Sequence, residues 1–347
     1  MKRYEHNPII RPEDVKPSAD GMEVIGVFNA GASLYNGEII LLLRVAEKQV
    51  SGSADRVAVP YFDEETETIR IKTILKSDPD YDFSDARVIK SRSGQKYLTS
   101  ISHIRVARST DGVHFRISDT PAIRAFDKYT AFGVEDPRVT RIGEDYYVNF
   151  SAASYFGIIT RLFKTRDFEE FQDLGNIFHP DNKDVAIFPR KIGELYYALH
   201  RPSTSEYGKP DMWIASSPDL VRWGDHKVVA AVREGSWESA RMGAGAPPIL
   251  TEQGWLILYH GADEANRYCM GAMLLDAERP WQVLKRLEMH LLEPTEPYET
   301  TGFFGNVIFV CGAVEAKEEL LIYYGAADDS VCLARSSVKE LLARMGY

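Results

Sequence analysis

Short strand-like segments repeat along the whole chain, and they constrain the fold more than any other feature of the sequence. Apolar residues stand in short runs that alternate with polar residues and are rich in Val, Ile, Tyr and Phe, which is typical of β-strands. Turn signals recur between these runs at intervals of roughly 50 to 65 residues. They are Asn36-Gly37, Ser93-Gly94, Gly143-Glu144, Gly193-Glu194, Gln253-Gly254 and a turn after Glu315. The pattern predicts an all-β protein built from repeated antiparallel units.

The repeat length matches a four-stranded sheet, which is the unit of a β-propeller. The phrases ARSTDGVHF, FKTRDFEEF and ASSPDLVRW each combine a strand end, an Asp-centred turn and an aromatic residue, as expected for outer strands. A closed ring of sheets leaves few exposed edges, and it explains why 347 residues contain no linker. We therefore predict a single β-propeller domain over residues 1–347. The turn count gives six units, one of them at 85–115, so the pattern alone leaves five or six sheets open.

One segment near the carboxyl terminus has a convincing helical pattern. It is SSVKELLARM, residues 336–345, in which Ser336 or Ser337 can cap the helix. Val338, Leu341 and Leu342 then form one apolar face. The pattern predicts a short C-terminal helix that packs across the ring or against a partner subunit.

Composition excludes several classes of function. The chain has 41 basic and 51 acidic residues and no basic stripe, so it lacks the charge pattern of a nucleic-acid-binding protein. Its charged amino terminus does not resemble a signal peptide, and no run approaches the roughly 18 apolar residues of a membrane helix. We expect a cytoplasmic protein without membrane contact. Cys269, Cys311 and Cys332 are widely spaced and lie in apolar runs, which predicts buried free thiols.

Metal and nucleotide cofactors have no support in the sequence. No His or Cys residues stand in pairs at metal-ligand spacing, and the carboxylates are scattered through turns. No glycine-rich loop opens a helix, as a nucleotide-binding motif requires. We expect neither a metal nor a bound cofactor.

Polar phrases open the predicted innermost strands, whose ends line the central depression of a propeller. These openings are VFNAGASLYNG, GVEDPRVTRIG, NKDVAIFPRKIG, RMGAGAPPILTEQG and GNVIFVCGAV. Second strands follow each turn and end in further polar clusters. Together they predict a ring that mixes one or two acids with several cations: Asn29, Arg44, Asp136, Lys183, Arg201, Arg241, His260 and Asp328.

Seven of these phrases form an ordered set across nearly the whole chain: FNAG, EDPR, NKD with FPRK, LHRP, GAGAPP, YHG and YYGAAD. In this order they resemble the β-mannoside phosphorylases of glycoside hydrolase family 130. The stretches VIGVFNAGASLYNGEIILLLRVAEK and YLTSISHIRVARSTDG are most similar to the β-1,2-mannobiose and β-1,2-oligomannan phosphorylases of that family. The resemblance implies a five-bladed propeller that cleaves terminal β-mannosides with inorganic phosphate, giving α-mannose 1-phosphate with inversion. Residues 60–100 then become an insertion or an elaborated blade.

The resemblance also implies a role for each matching residue. Asp136 matches the catalytic acid, which is thought to pass its proton to the glycosidic oxygen through the 3-hydroxyl of the mannose. The matching phosphate-binding residues are Lys183, Arg201, Arg241 and His260. The residues that match positions holding the mannosyl hydroxyls are Asn29, Arg44 and Asp328, with Asp329 as an alternative to Asp328. Many relatives have Arg where this chain has Lys183, which loses bidentate geometry, so Arg190 is considered as a substitute.

The chemistry of glycoside cleavage by phosphate also requires one acid. Expulsion of a sugar alkoxide needs a general acid, whereas phosphate is already an anionic nucleophile and needs no base. Phosphate is then a co-substrate beside a mannooligosaccharide. An inverting hydrolase needs a second carboxylate about 6.5 to 9.5 Å away to activate water. Glu135 and Asp136 are adjacent in a strand, so they are expected to point to opposite faces and not to form such a pair.

Three other interpretations of the function remain open from the sequence. An inverting β-mannosidase of the same fold would need a carboxylate opposite Asp136, and Glu238, Asp263 and Glu264 are the candidates. The enzyme could instead be a β-1,4-mannoside phosphorylase. A catalytically silent glycan-binding propeller would bind without turnover. A homo-oligomer is the assembly expected from the resemblance.

Overall fold

The protein is built almost entirely of antiparallel β-strands. The computed structural model describes residues 1–50, 53–85, 87–203 and 206–347. Within these ranges the helices are two 3₁₀ turns, Pro12–Asp14 and Lys128–Thr130, and two short α-helices, α1 Pro297–Thr300 and α2 Val338–Met345. None of the described helices has the length and apolar character needed to cross a membrane. The all-β prediction is confirmed.

The strands follow one another with short connections, as the spacing of turn signals predicts. In chain order they are β1 Lys2–Arg3, β2 Met22–Tyr35, β3 Glu38–Gln49, β4 Arg56–Asp63, β5 Thr68–Leu75, β6 Tyr81–Asp82, β7 Val88–Ser91, β8 Lys96–Leu98, β9 Ile101–Ser109, β10 Arg116–Ile117, β11 Val134–Ile142, β12 Asp145–Ser154, β13 Gly157–Thr165, β14 Gln172–Phe178, β15 Asn182–Ile187, β16 Tyr196–Pro202, β17 Met212–Ser217, β18 Gly224–Ala230, β19 Arg241–Ala244, β20 Ile249–Thr251, β21 Gly254–Ala262, β22 Tyr268–Leu275, β23 Val283–Arg286, β24 Ile308–Ala316, β25 Glu319–Ala326 and β26 Ser330–Ser336.

Five of the sheets contain four or more strands each. Sheet 1 has the order β2-β3-β9-β10, sheet 2 is β11-β12-β13-β14, and sheet 3 is β15-β16-β17-β18. Sheet 4 is β19-β21-β22-β23, with β20 also paired to β21, and sheet 5 is β24-β25-β26-β1. The strand that opens each sheet lies at its edge, and β2 contacts both β11 and β24, while β15 contacts β11 and β19. The five polar openings predicted from the sequence are thus brought close together.

Hydrophobic clusters join each sheet to the next. They lie between sheets 1 and 2, 2 and 3, 3 and 4, and 4 and 5, and a further cluster joins sheet 5 to sheet 1. The last contains Leu41 and Val45 from sheet 1 with Tyr323 and Leu333 from sheet 5, all fully buried. Burial of apolar area on this scale is the main favourable contribution to folding.

All six predicted turns connect paired strands. The turn at Asn36-Gly37 joins β2 to β3 and places both residues at positive φ, 50° and 82°. Lys317 and Glu318, which follow Glu315, form the turn between β24 and β25 and also have positive φ. The turn signals therefore located the hairpins correctly.

The segment at 85–115 is not a sixth unit, and the structure divides it between two places. Strands β9 and β10 complete sheet 1, whereas the turn at Ser93-Gly94 joins β7 to β8 in a small sheet of order β6-β7-β8. A separate hairpin, β4-β5, precedes it. Strands β4 to β8 form an insertion between β3 and β9, with residue 86 outside the described residues. The turn count overestimated the repeats because it counted a hairpin of this insertion.

The predicted C-terminal helix is confirmed as α2. Ser337 caps it by accepting a hydrogen bond from the Glu340 backbone N–H, and Gly346 ends it in the left-handed region with φ 93°. Leu341, Leu342 and other buried residues of the helix pack against sheets 4 and 5 of the same chain. The three cysteines are free and buried, as predicted.

The first strand of the chain completes the last sheet. Lys2 and Arg3 pair with Arg335 and Ala334 of β26. Nε and Nη2 of Arg3 donate to the two carboxylate oxygens of Glu299 at 2.8 and 2.9 Å, and the Glu299 side chain is fully buried. The amino terminus is thereby fixed to sheet 5 by a bidentate ion pair.

Replacement of Arg3 by Ala is expected to lower the free energy of unfolding by about 2 kcal/mol, because it leaves the buried Glu299 carboxylate without its cation. The corresponding fall in the thermal midpoint is roughly 4 °C, measurable by calorimetry. Lys2 lies on the same strand and is exposed, so Lys2→Ala is the matched control, with an expected change within about 0.5 kcal/mol. Equal destabilisation by both variants would contradict the role given to the ion pair.

Candidate active site

A cavity of about 740 Å³ lies where the first strands of the sheets begin. Six of the eight predicted site residues line it: Asn29, Arg44, Asp136, Lys183, Arg201 and Asp328. Further charged side chains on its wall are Arg87, Lys96, Glu135, Asp181 and Asp184. The wall thus carries five carboxylates and five cations. The sequence predicted only one or two acids, so the acidic content was underestimated.

Three of these residues occupy equivalent irregularities in the opening strands. Asn29, Asp136 and Asp184 have positive φ, at 49°, 51° and 56°, which is uncommon for residues other than glycine. At each position the pairing with the next strand shifts register, as in a β-bulge. A bulge redirects the side chain from the face that strict alternation would give it. The fold therefore directs the side chains at equivalent positions of sheets 1, 2 and 3 into one cavity.

Asp136 is held by two donors on one oxygen. Asn29 Nδ2 and Arg44 Nη1 each donate to Asp136 Oδ1 at 2.9 Å. No side chain in the described part of the molecule donates to Oδ2, which makes Oδ2 the oxygen available to carry a proton. Asn29 reaches this position because Gly325 of the YYGAAD motif approaches it closely; a Cβ on Gly325 would collide with Asn29 Oδ1.

Glu135 lies on the same cavity as Asp136, contrary to the expectation of opposite faces. Its Oε1 accepts from Arg44 Nη2 at 2.9 Å, and its Oε2 lies 3.6 Å from Lys183 Nζ. The positive φ of Asp136 breaks the alternation on which the prediction depended. Glu135 therefore links Arg44, which is predicted to bind the sugar, to Lys183, which is predicted to bind phosphate.

The cations around Asp136 favour its ionised form. Burial alone would raise the pKa of this carboxyl, but the charges of Arg44 and Lys183 and the hydrogen bond from Asn29 outweigh burial and hold the pKa below its usual 3.8. In the free protein at neutral pH, Asp136 is a carboxylate.

Arg201 and Lys183 lie side by side on the cavity wall, because they are paired residues of β16 and β15. Arg201 Nε lies 2.7 Å from Asp184 Oδ2, and its terminal nitrogens make no hydrogen bond within the described residues. The planar fork of Arg201 and the ammonium of Lys183 are therefore two adjacent cations that an anion in the cavity can meet.

Arg241 and His260 are not on the cavity wall. Arg241 donates to Tyr268 Oη and to Asn266 Oδ1, both at 2.9 Å, and Tyr268 itself lines the cavity. His260 is buried behind Asp184, with Nε2 at 3.3 Å from Asp184 Oδ2 and its ring stacked on Phe309. Burial outweighs the Asp184 charge and lowers the pKa of His260, so the imidazole is neutral at neutral pH.

Arg190, the proposed substitute for an arginine at position 183, points away from the site. It is exposed and lies over the Trp255 ring at 5.7 Å. Between the two carboxylates of the YYGAADD run, Asp328 lines the cavity and Asp329 does not. Of these alternatives, Lys183 and Asp328 are the residues that lie on the cavity wall.

Burial also changes the protonation of Asp328. It raises the pKa of this carboxyl to about 6, with the nearby Asp136 charge in the same direction and Arg44 and Arg87 opposing. A carboxyl of this kind changes from neutral to anionic within the range in which most enzymes are assayed.

If Asp328 accepts hydroxyl hydrogen bonds from the mannosyl ring, its ionised form binds better, because a carboxylate offers two acceptor oxygens. We expect the KM for the mannoside to fall as the pH rises through about 6. Asp328→Asn cannot ionise, so this variant should show a KM that is higher but constant between about pH 5 and 7. If the KM of Asp328→Asn keeps the wild-type pH dependence, that dependence arises from the titration of another group.

The carboxylates proposed for a hydrolase are elsewhere. Glu238 is fully buried between Arg233 and Arg286, Asp263 pairs with Arg267, and Glu264 pairs with Lys209. None of the three lines the cavity. Among the described residues, no group of three or more His, Cys, Asp or Glu side chains is arranged to hold a metal ion.

The insertion contributes one wall of the cavity, which the sequence did not predict. Arg87 is paired with Asp85 and lies 3.9 Å from the centre of the Phe304 ring, which belongs to the loop before β24. Ser93, Gly94 and Gln95, at the turn between β7 and β8, also line the cavity. No motif in residues 60–100 signalled this position.

Comparison with known proteins identifies the family of this chain. Residues 86–346, more than half of the chain, match the family model Glyco_hydro_130, described as β-1,4-mannooligosaccharide phosphorylase. The chain belongs to glycoside hydrolase family 130. It is 51% identical over 346 residues to the β-1,2-mannobiose phosphorylase of Listeria innocua serovar 6a, covering 99% of this chain and 98% of the relative.

Two further similarities refine this family assignment. A solved structure of the Listeria innocua β-1,2-mannobiose phosphorylase in complex with β-1,2-mannobiose superposes with a TM-score of 0.97 and 50% identity, covering 99% of each chain. A 1,2-β-oligomannan phosphorylase of Thermoanaerobacter sp. is 37% identical over 249 residues, covering 71% of this chain and 82% of the relative. The family 130 resemblance of the sequence motifs is thus confirmed.

Proposed function

We propose that the protein is an inverting β-mannoside phosphorylase that acts on β-1,2-mannobiose and releases α-mannose 1-phosphate. One observation carries the proposal. A buried acid, Asp136, is fixed through one oxygen by Asn29 and Arg44 and shares its cavity with Lys183 and with Arg201, whose terminal nitrogens make no hydrogen bond to any described residue. The cavity thus combines a proton carrier with a place for an anion.

Asp136 acts as the general acid. Its Oδ2 delivers the proton to the leaving sugar, either directly or through the mannosyl 3-hydroxyl as the family resemblance implies. Asn29, Arg44 and Asp328 hold the hydroxyls of the mannosyl ring. A general acid must carry a proton, so the low pKa of Asp136 in the free protein has to rise when the substrates bind. Phosphate bound beside Lys183 causes this rise. A bound anion offsets the cations that favour the carboxylate, so the pKa of Asp136 rises.

Phosphate attacks the anomeric carbon from the side opposite the leaving sugar, while the bond to the glycosidic oxygen breaks and Asp136 protonates that oxygen. No base is needed, because phosphate is already anionic. Hydrolysis is less well supported. Glu135 shares the cavity, but Arg44 and Lys183 each pair with one of its carboxylate oxygens, so neither oxygen is left free to orient a water molecule.

The β-1,2 linkage is supported by the relatives. The similarity to β-1,2-mannobiose phosphorylase extends over the insertion that forms a cavity wall, whereas the similarity to the oligomannan enzyme covers less of this chain. The description of the family model favours a β-1,4 linkage, but the match of 51% identity over nearly the whole chain is to a β-1,2 enzyme and is the more specific similarity. The silent glycan-binding interpretation has no observation in its favour.

For the fold, we propose a five-bladed β-propeller that forms a single domain over residues 1–347, with sheets 1 to 5 as its blades. The cyclic series of hydrophobic clusters and the completion of sheet 5 by β1 support this arrangement. Inorganic phosphate is proposed as a co-substrate, without a metal or another cofactor. A cytoplasmic location and a homo-oligomeric state stay predictions.

The test is incubation of the purified protein with β-1,2-mannobiose, with and without inorganic phosphate. We expect α-mannose 1-phosphate and one equivalent of mannose, formed only when phosphate is present. Two equivalents of free mannose regardless of phosphate would favour the hydrolase. Turnover of β-1,4-mannobiose in preference to the β-1,2 isomer would overturn the linkage.

A further inference from the structure

We infer that Asp184 is a positioning residue of the phosphate site. Its carboxylate holds the Arg201 guanidinium so that the terminal nitrogens face the anion, and it links Arg201 to His260 and Arg138. The inference rests on the proposed function, since it assigns a role within that site. None of the family motifs gave Asp184 a role, although it follows Lys183 directly in the NKD phrase.

Asp184 is surrounded by nitrogen groups from three different sheets. Its Oδ2 lies 2.7 Å from Arg201 Nε of sheet 3 and 3.3 Å from His260 Nε2 of sheet 4. Its Oδ1 lies 3.3 Å from Arg138 Nη2 of sheet 2. The side chain is 2% exposed. A buried carboxylate in this position couples three sheets at the floor of the cavity.

The contact with Arg201 determines which nitrogens remain for a ligand. Nε is the guanidinium nitrogen nearest to the carboxylate, and its contact with Oδ2 is an ion pair without hydrogen-bond geometry. The contact therefore leaves the two terminal nitrogens for other acceptors. Among the described residues they have no hydrogen-bond acceptor, and Arg201 lines the cavity. A planar fork fixed in this way matches two oxygens of one phosphate.

The backbone also indicates a functional position. Asp184 occupies the third of the three bulges whose other two members are Asn29 and Asp136, and its φ of 56° is unfavourable for a residue with a Cβ. Gly243 of the GAG phrase leaves room for the carboxylate, because a Cβ there would collide with Asp184 Oδ2. A bulge at Asp184 and the missing Cβ of Gly243 thus both accommodate this one side chain.

Arg138 supports the arrangement from behind. Its guanidinium is almost fully buried and donates to the carbonyl oxygens of Gly245 and Ala244 at 2.8 and 2.9 Å, in addition to Asp184. The charge of Arg138 offsets that of Asp184 without using the terminal nitrogens of Arg201. Burial opposes ionisation, but the Arg201, His260 and Arg138 contacts hold the pKa of Asp184 well below its usual value. The carboxylate therefore stays ionised across the assay range.

The test compares Asp184→Asn with Glu238→Gln in the full chain. Glu238 is also a fully buried carboxylate with two arginine partners, but it lies outside the cavity, so it controls for loss of a buried charge. For Asp184→Asn we expect the KM for phosphate to rise about 10- to 100-fold, because the fork loses a charge-assisted contact. The KM for β-1,2-mannobiose and the kcat at saturating phosphate should stay within a few fold. Glu238→Gln should leave the KM for phosphate unchanged.

Thermal stabilisation by inorganic phosphate gives a second readout that does not depend on turnover. We expect phosphate to raise the midpoint of the wild type and of Glu238→Gln, and to have a much smaller effect on Asp184→Asn. If Asp184→Asn does not fold, Asp184→Glu serves instead, because it keeps the charge but displaces the carboxylate by one methylene. A raised phosphate KM in that variant supports the inference.

A folded Asp184 variant with wild-type phosphate KM and phosphate stabilisation would overturn the inference alone. A wild type whose product formation ignores phosphate would overturn the proposed function and the inference with it. Equal increases in the KM for phosphate in the Asp184 and Glu238 variants would show that Asp184 has only a structural role.

Discussion

Asp136→Asn is expected to reduce kcat for phosphorolysis of β-1,2-mannobiose on the order of 10³-fold, because the variant cannot supply the proton that the leaving sugar needs. Asn keeps the shape of the side chain and an oxygen for Asn29 and Arg44 to contact. The KM values for mannobiose and phosphate should therefore stay within a few fold. The measurement is the initial rate of α-mannose 1-phosphate formation at saturating concentrations of both substrates.

A substrate with a better leaving group makes this prediction more specific. An aryl β-mannoside that releases a nitrophenolate needs little protonation, so Asp136→Asn should lose far less activity on it than on mannobiose. Asp263→Asn is the matched control, since Asp263 lies outside the cavity and uses Oδ1 to accept from the backbone of Ala265 and Arg267, which an amide oxygen also does. Equal losses on both substrates would show that Asp136 does not act as the acid.

The fold was largely predictable because its signals are local. Turn residues such as Asn36-Gly37 need positive φ and mark hairpins wherever they occur. The number of sheets was not predictable from turns alone, because the turn at Ser93-Gly94 is chemically the same as the others. Whether a hairpin extends a large sheet or forms a small one depends on which strand it pairs with, and that is a long-range property.

The residues of the cavity wall were predictable where a charged residue stands at the start of an opening strand, as with Asp136 and Lys183. The position of Glu135 was predicted wrongly for a physical reason. Strict alternation assigns neighbouring residues to opposite faces, but a bulge at positive φ lets Glu135 and Asp136 share a cavity. Polar residues in the phrases NAG, EDP and KDV could have signalled these bulges, since Asn and Asp tolerate this region best.

Arg201→Ala is expected to raise the KM for phosphate on the order of 10²-fold, because it removes two charge-assisted hydrogen bonds to the anion. Arg201→Lys should recover part of the loss, since Lys keeps the charge without the fork. The matched control is Arg190→Ala: Arg190 belongs to the same sheet region but is exposed. This control also tests the substitute role considered for Arg190.

The reverse reaction decides whether Arg201 recognises the phosphate group or the sugar. α-Mannose 1-phosphate carries the same phosphate into the same pocket, so its KM should rise in Arg201→Ala in parallel with that of free phosphate. The KM for the acceptor mannose should be unaffected, because the acceptor binds on the other side of the anomeric carbon. A rise confined to mannose or mannobiose would move Arg201 to the sugar site and leave Lys183 as the main cation for phosphate.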